Sequence, residues 1–351
     1  MFLWYNIAMQ DIKNLNLKEL QELLAAWGEN KFHARQIFSW IYQKGAQDFI
    51  RMSDLSEGLR KKLENNFSFS ALTLSASRKS HDGTEKSLFS LDDGNRIEAV
   101  VIPMPGHVTA CLSTQVGCKF ACRFCASGLS GFKRNLTCGE IISQVLALQN
   151  KSGAKRITHL VFMGSGEPLD NYDQVIKTIR VINSKEGLNI GARRMTVSTC
   201  GIVPGIKRLA QEKLQIELSV SLHAPDDRLR SQLVPANKKY PLKDLLAACK
   251  EYIRATGRQI TFEYVLIRGI NSDLPKAQKL STILKDLKLC KVNLIPVNPV
   301  KEYGITPPGK LEILLFKDCL FKSGIPVTLR KSRGEDVQAA CGQLRSSYEK
   351  K

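Results

Sequence analysis

Hydrophobic positions recur along this chain with two different periods, and the switch between them divides it. Residues 17 to 66 follow the helical period. "LKELQELLAAWG" (17–28) spaces its leucines three and four apart and stops at Gly28, and "FHARQIFSWIYQKG" (32–45) repeats the pattern and stops at Gly45. "LSEGLRKKLENNF" (55–67) predicts a third amphipathic helix. Three short alternating runs follow: "LTLSASRK", "EKSLFSL" and "RIEAVVIP". "HDGT" and "DDGN" between them suit hairpin turns. Residues 1–103 therefore read as a small N-terminal α+β accessory domain.

From residue 107 short β-rich runs alternate with helical stretches. The predicted strands are "VTACLST", "ITHLVFMG", "RMTVSTCG", "IELSVSLH", "ITFEYVLI" and "KVNLIPVN". Six β–α units in succession predict an α/β domain over residues 104–346, a partial (β/α)6 TIM-like barrel, with an open doubly wound sheet as the alternative. Polar residues favour the barrel. Cys118, "GSGEP", Ser198, "SLH" and Asn298 all fall where a predicted strand ends, and parallel barrels build their sites on that rim.

Charge adds a partner to this picture. Fifty-two Lys and Arg against 33 Asp and Glu leave a net charge of +19, which implies a polyanion, most simply a nucleic-acid phosphate backbone. A membrane surface is the weaker reading, because no basic helix carries a strong apolar face. No apolar run is long enough to span a bilayer. The opening "MFLWYNIAMQ" lacks the basic flank and cleavage site of a signal peptide. We expect a cytoplasmic protein whose true start is Met9, which opens a cleaner amphipathic helix. In a reducing compartment the ten cysteines are expected to be ligands or catalysts, not a disulfide framework.

Three of them form the clip "GCKFACRFCAS" (117–127), with Cys118, Cys122 and Cys125 spaced C-x3-C-x2-C. Structural zinc takes four ligands, commonly from paired CxxC units. Only one CxxC is present, and Cys111, Cys138, His107 and His159 have no second-pair spacing. Thiolates also hold iron–sulfur clusters, and three on a four-iron cluster leave one iron open. "GSGEP" adds flexible backbone and the carboxylate of Glu167, a possible acceptor for an amine. Ser198, Ser221, Leu222, His223 and Asn298 offer polar groups or backbone at successive strand ends, although each alone is an ordinary loop or core residue.

The clip, with Phe124 before its last cysteine, resembles the radical S-adenosylmethionine (SAM) enzymes. That resemblance implies a [4Fe-4S] cluster on Cys118, Cys122 and Cys125, whose open iron chelates SAM. It also implies SAM contacts from Gly166, Glu167, Ser198, Ser221, Leu222, His223 and Asn298. "LSTQVGCKFACRFCASGLSGFKRNLTCGEIISQV", "MGSGEPLDN", "SVSLHAPDDRLR", "LIPVNP" and "RKSRGEDVQAACGQL" together resemble the bacterial radical-SAM adenosine-C2 RNA methyltransferases, collinearly over about residues 10 to 346. Ser165 and Cys200 stand where that family usually has Met and Ser; neither is a proposed contact residue.

The resemblance implies methylation of an adenosine in large-subunit (23S) ribosomal RNA, and in many members of one beside the tRNA anticodon. It implies two SAM per turnover, Cys341 as methyl carrier, Cys111 as the resolving cysteine in a transient disulfide, and Glu98 as ring-proton acceptor, with Cys111 a second candidate. Arg330, Lys331, Arg333, Arg345 and, more loosely, Lys322 supply positive charge around Cys341. A flavodoxin-like electron donor and a monomer are expected. The rivals are the sister enzymes that methylate carbon 8 of the same base, a zinc-clipped RNA-binding protein, and a radical-SAM maturase acting on protein.

Overall fold

The computed structural model describes residues 9–70, 72–151 and 156–345, without the side chains of residues 150 and 151. The apolar opening before Met9 lies outside the described residues. Met9 itself does not open a helix. The chain after it forms β1 (Gln10–Asp11), paired in parallel with β2 (Phe67–Ser68), and the first helix, α1, spans Leu17–Ala26. The start of α1 is set by a reciprocal cap. Asn16 Oδ1 accepts from the Glu19 amide at 3.0 Å and the Glu19 carboxylate accepts from the Asn16 amide at 2.8 Å. α2 (Phe32–Tyr42) and α3 (Glu57–Asn66) complete the predicted trio. Leu20, Leu24, Ile37, Phe38, Leu59 and Leu63 bury the apolar stripes that the helical period marked.

The alternating runs are β3 (Thr73–Lys79), β4 (Glu85–Ser90) and β5 (Arg96–Met104), an antiparallel ladder. β5 turns back and pairs antiparallel with β6 (His107–Cys111). A hairpin of β7 (Gln115–Gly117) and β8 (Phe132–Asn135) follows, and its long loop carries the three clip cysteines. The chain then alternates: α4 (Cys138–Lys151), β9 (His159–Phe162), α5 (Tyr172–Asn183), β10 (Met195–Thr199), α6 (Val203–Ala210), β11 (Glu217–Ser221), α7 (Asp227–Leu233), α8 (Leu242–Thr256), β12 (Ile260–Leu266), α9 (Leu274–Leu284), β13 (Cys290–Pro296), α10 (Lys310–Lys322) and β14 (Val327–Leu329).

All large strands belong to one ten-stranded sheet, ordered β14-β13-β12-β11-β10-β9-β6-β5-β4-β3. From β6 to β14 every pairing is parallel and the order never reverses. A doubly wound sheet reverses at a switch point, so this is the singly wound pattern of a partial barrel. The six predicted strands stand in the predicted order. β14 is an addition, a three-residue strand too short for periodicity to reveal. The sheet also runs unbroken through the β5–β6 hairpin, so the N-terminal ladder and the barrel share one sheet across residue 103.

The clip loop depends on a close approach of backbones. Gly117 has φ +74°, and a Cβ there would lie 1.8 Å from the Gly131 carbonyl oxygen. That same oxygen accepts from the Cys118 amide at 3.0 Å. Gly117→Ala is therefore expected to push β7 from β8, lowering stability by about 1–3 kcal/mol and iron loading with it. Thermal unfolding and iron content after reconstitution check this; an unshifted melting curve with full loading would contradict it.

Candidate active site

A cleft opens at the C-terminal ends of the barrel strands, the rim on which parallel barrels build their sites. Cys118, Cys122 and Cys125 form one wall. Burial pushes all three thiols above their ordinary range, Cys118 to about 12, so a metal group taking them as thiolates must displace their protons. Among the described residues no three His, Cys, Asp or Glu side chains converge as a single-ion site. A donor set of three separated thiols fits a broader group such as an iron–sulfur cluster better than one zinc ion.

The opposite wall begins at the end of β9. Gly166 has φ +104°, and a Cβ on it would lie 2.6 Å from Gln115 Cβ, so only glycine fits. Next to it the buried Glu167 carboxylate accepts from the amides of Cys200 at 2.7 Å and Leu169 at 3.0 Å. Burial raises its pKa and these amides oppose the rise. A carboxylate has about four lone-pair sites, so acceptor capacity remains for a ligand amine. Ser198, Ser221 and His223 also line the cleft.

His223 is not a satisfied core histidine. Its Nδ1 accepts from the Val265 amide at 3.0 Å, which puts the ring proton on Nε2. That buried Nε2 has no hydrogen-bond partner among the described residues. Burial, with help from Arg230, holds the imidazole pKa down to about 3, so it offers a neutral N–H donor. The Phe124 ring packs edge-on against it, 4.5 Å between centroids. Leu222 is different: its side chain is wholly buried in the core and does not line the cleft. It contributes backbone only, its amide donating to the Glu263 carbonyl.

Cys341 reaches the same cleft from the far end of the chain. The Ala126 amide donates to the Gly342 carbonyl at 2.6 Å, Ser127 Oγ to the Leu344 carbonyl at 2.7 Å, and Asn298 Nδ2 to the Cys341 carbonyl at 3.0 Å. Ser332 Oγ donates to Asn298 Oδ1. Asn298 thus lines the cleft but spends these bonds on the C-terminal segment.

Behind Cys341 lies a second cavity, lined by Cys111, His107, Lys331 and Arg333 and sharing Met163, Ile295, Asn298, Arg330 and Cys341 with the first. Burial, then Cys341, pushes the Cys111 thiol up to about 12, and Arg330 opposes them. Of the five positive residues expected around Cys341, Arg330, Lys331 and Arg333 line this cavity, and Arg345 pairs with Glu302. Lys322 does not belong: it pairs with Asp318 on the exposed face of α10.

Glu98 sits on β5 between β4 and β6, fully buried, not on an exposed edge. Its carboxylate pairs with Lys86 Nζ at 3.1 Å and accepts from the Arg345 amide at 2.8 Å. It lines neither cavity and holds the backbone of the segment that carries Cys341.

Two residues escaped the sequence reading. Arg230, fully buried on α7, donates to the carbonyls of Cys200, Ser221 and Leu222 and to Asn237 Oδ1. It ties the ends of β10 and β11 together beneath the cleft. Glu263 lines the cleft from β12. The only cue to either was a charged residue inside or beside an apolar run.

Residues 112–278 match the model of the radical SAM superfamily, and residues 10–68 match that of the ribosomal RNA large subunit methyltransferase N-terminal domain. The chain is 47% identical over 341 residues to a probable dual-specificity RNA methyltransferase RlmN of Thermoanaerobacter sp. (strain X514), covering 97% of this chain and 99% of the relative. A protein of the same description from Clostridium novyi (strain NT) is 48% identical over 341 residues, with 97% and 99% covered. The crystal structure of a radical SAM methyltransferase from Sphaerobacter thermophilus superposes with a TM-score of 0.92 at 46% identity, covering 96% of this chain and 100% of the other.

Arg230→Met keeps volume but leaves three buried carbonyls without their shared donor. We expect a loss of about 3 kcal/mol of stability and weaker SAM binding, measured by denaturant unfolding and isothermal titration. Unchanged values for both would remove Arg230 from the site's framework.

Proposed function

Because the chain belongs to the RlmN-type radical-SAM RNA methyltransferases, we propose that it methylates carbon 2 of an adenosine in 23S ribosomal RNA and of an adenosine beside the tRNA anticodon. The observation that carries this reading is the position of Cys341, in the wall between a cleft bearing the clip cysteines and a cavity bearing Cys111 and basic side chains.

Carbon 2 of adenine is an electron-poor aromatic carbon that no side chain turns into a nucleophile, so a radical route is required. Cys118, Cys122 and Cys125 would hold the [4Fe-4S] cluster, and Gly166, Glu167, Ser198, Ser221, His223 and Asn298 would hold SAM; when bound, the two would supply a 5′-deoxyadenosyl radical. Cys341 would first take a methyl group from one SAM and then give up a hydrogen atom from it to the radical supplied by a second SAM, so that its methylene carbon bonds to carbon 2. The adduct would lose one electron to the oxidised cluster and the carbon-2 proton to a base; Cys111 would then attack Cys341 Sγ, so a sulfur–sulfur bond forms as the sulfur–methylene bond breaks and the released carbon takes a proton to become the methyl group. Arg330 lines both cavities together with Cys341 and opposes the burial that pushes the Cys111 thiol up.

The net charge of +19 suits a phosphate backbone, and the substrate base must be turned out of its stack to enter. A flavodoxin-like electron donor, a monomeric state and a cytoplasmic location complete the reading.

Mass spectrometry of the tryptic peptide holding Cys341, from anaerobically purified protein of known iron content, is expected to show a gain of about 14 Da, one methylene. An unmodified Cys341 with cluster and SAM present would point to another radical-SAM reaction, and zinc in place of iron to an RNA-binding protein. Fragmentation of the methylated nucleoside separates carbon 2 from carbon 8. Cys341→Ala is expected to leave cluster and SAM cleavage intact while abolishing RNA methylation. Cys111→Ala is expected to trap a covalent protein–RNA adduct, seen as a shifted band in denaturing gels; clean turnover would exclude Cys111 as the resolving thiol.

A further inference from the structure

On the reading above, each turnover ends with a sulfur–sulfur bond between Cys341 and Cys111. Cys341 cannot take another methyl group until that bond is broken. Two electrons must therefore enter from outside once per cycle, and thiol–disulfide exchange delivers them without a further cofactor. Access decides what kind of thiol can do this.

Cys111, on β6, is only 8% exposed and lines the cavity behind Cys341. Cys341 is half-buried in the wall between that cavity and the cleft. Its backbone cannot carry the sulfur outward. Asn298 holds its carbonyl, Ala126 that of Gly342 and Ser127 that of Leu344. A dithiol on a folded protein attacks from that protein's own surface and needs the target sulfur at a surface too. A small thiol needs only a passage. This passage is positive: Arg330, Lys331 and Arg333 line it, Lys331 is exposed, and no Asp or Glu lines it among the described residues. Walls of one sign concentrate small ions of the other.

We propose that the enzyme is regenerated by a small, negatively charged thiol that enters the cavity behind Cys341 once the RNA has left it. The thiolate attacks Cys341 Sγ, the more accessible sulfur. A mixed disulfide forms there as the bond to Cys111 breaks, and the Cys111 thiolate leaves and takes a proton. Arg330 opposes the burial that disfavours this thiolate, which makes Cys111 the better leaving group. A second thiolate attacks the small-molecule sulfur of the mixed disulfide, releases Cys341 as a thiolate, and departs joined to the first. Two small thiols are oxidised to one disulfide, and their two protons balance those gained by Cys111 and Cys341. Base and thiol occupy the same space, so reduction follows release of the methylated RNA.

The inference rests on the proposed methyl-carrier mechanism. The test therefore starts from reconstituted wild-type enzyme taken through one turnover with SAM, reductant and RNA but no thiol, then freed of RNA. Absence of a Cys341–Cys111 disulfide from its tryptic map would overturn that mechanism and this inference with it. With the disulfide present, its loss is followed under 2-mercaptoethanesulfonate, 2-mercaptoethanol and cysteamine, which differ in end-group charge, and under the protein dithiol thioredoxin. Per thiolate and corrected for basicity, the anionic thiol is expected to be about tenfold faster than the neutral one and the cationic thiol slowest, with the gaps closing as salt is raised. Thioredoxin at equal concentration should be slower than the anionic thiol. Acid quenching should catch the mixed disulfide on Cys341, excess methylated RNA should slow the reaction, and Lys331→Gln should narrow the charge ranking. Equal rates for the three small thiols at low salt, faster reduction by thioredoxin, or a mixed disulfide on Cys111 would each overturn the inference while leaving the methyl-carrier mechanism in place.

Discussion

Everything chemical in this molecule depends on the hydrogen bonds that pin residues 341–345 onto the clip loop. The Ala126 amide and Ser127 hydroxyl hold the carbonyls of Gly342 and Leu344. These contacts span more than 200 residues of chain, and closing so long a loop has an entropic cost that local structure cannot offset. Gly342 makes the approach possible: it has φ +82°, and a Cβ there would lie 2.9 Å from the Phe124 carbonyl oxygen. The glycine after the last cysteine is thus a docking requirement.

The same segment is anchored from the other side by a buried ion pair. Lys86 and Glu98 are both almost fully buried, and burial lowers the lysine pKa while Glu98 opposes the fall. Such a pair is rarely a net source of stability, because desolvation offsets the Coulombic gain. Here it has a geometric consequence. Lys86 lies on β4 and Glu98 on β5, and the second carboxylate oxygen takes the Arg345 amide. The N-terminal ladder therefore fixes the segment that carries Cys341.

Much of this was legible in the sequence, for physical reasons that also explain the gaps. Helices α1 to α3 and the six barrel strands announced themselves through the 3.6- and 2-residue periods. β14 did not, because three residues hold no period. The strand after Met9 was mistaken for a helix start, since a two-residue pairing with Phe67–Ser68 leaves no local mark. The clip, Gly166 and Cys341 line one cleft and Cys111 the cavity behind it, positions that resemblance carries along the chain. Leu222 was placed with the ligand contacts, although its side chain faces the core. Arg230 and Glu263 were invisible for another reason. Their function lies in partners contributed by other strands, and a single charged letter in an apolar run does not say whether it is satisfied.

The division between the two cavities also bears on how one thiol can serve two reactions. Under the proposed mechanism Cys341 must accept a methyl group in the cleft that binds SAM and present it to a base in the cavity beside Cys111. Its backbone cannot swing between them, because Asn298 holds its carbonyl and Ala126 holds the next one. The side chain is free of that constraint, and rotation about one staggered χ1 torsion moves Sγ between wells at little energetic cost. A fixed backbone with a rotating sulfur keeps the methyl carbon near both partners, whereas a mobile tail would lose the positioning on which radical transfer depends. The tight docking of residues 341–345 and the turn of the Cys341 side chain are then two halves of one requirement.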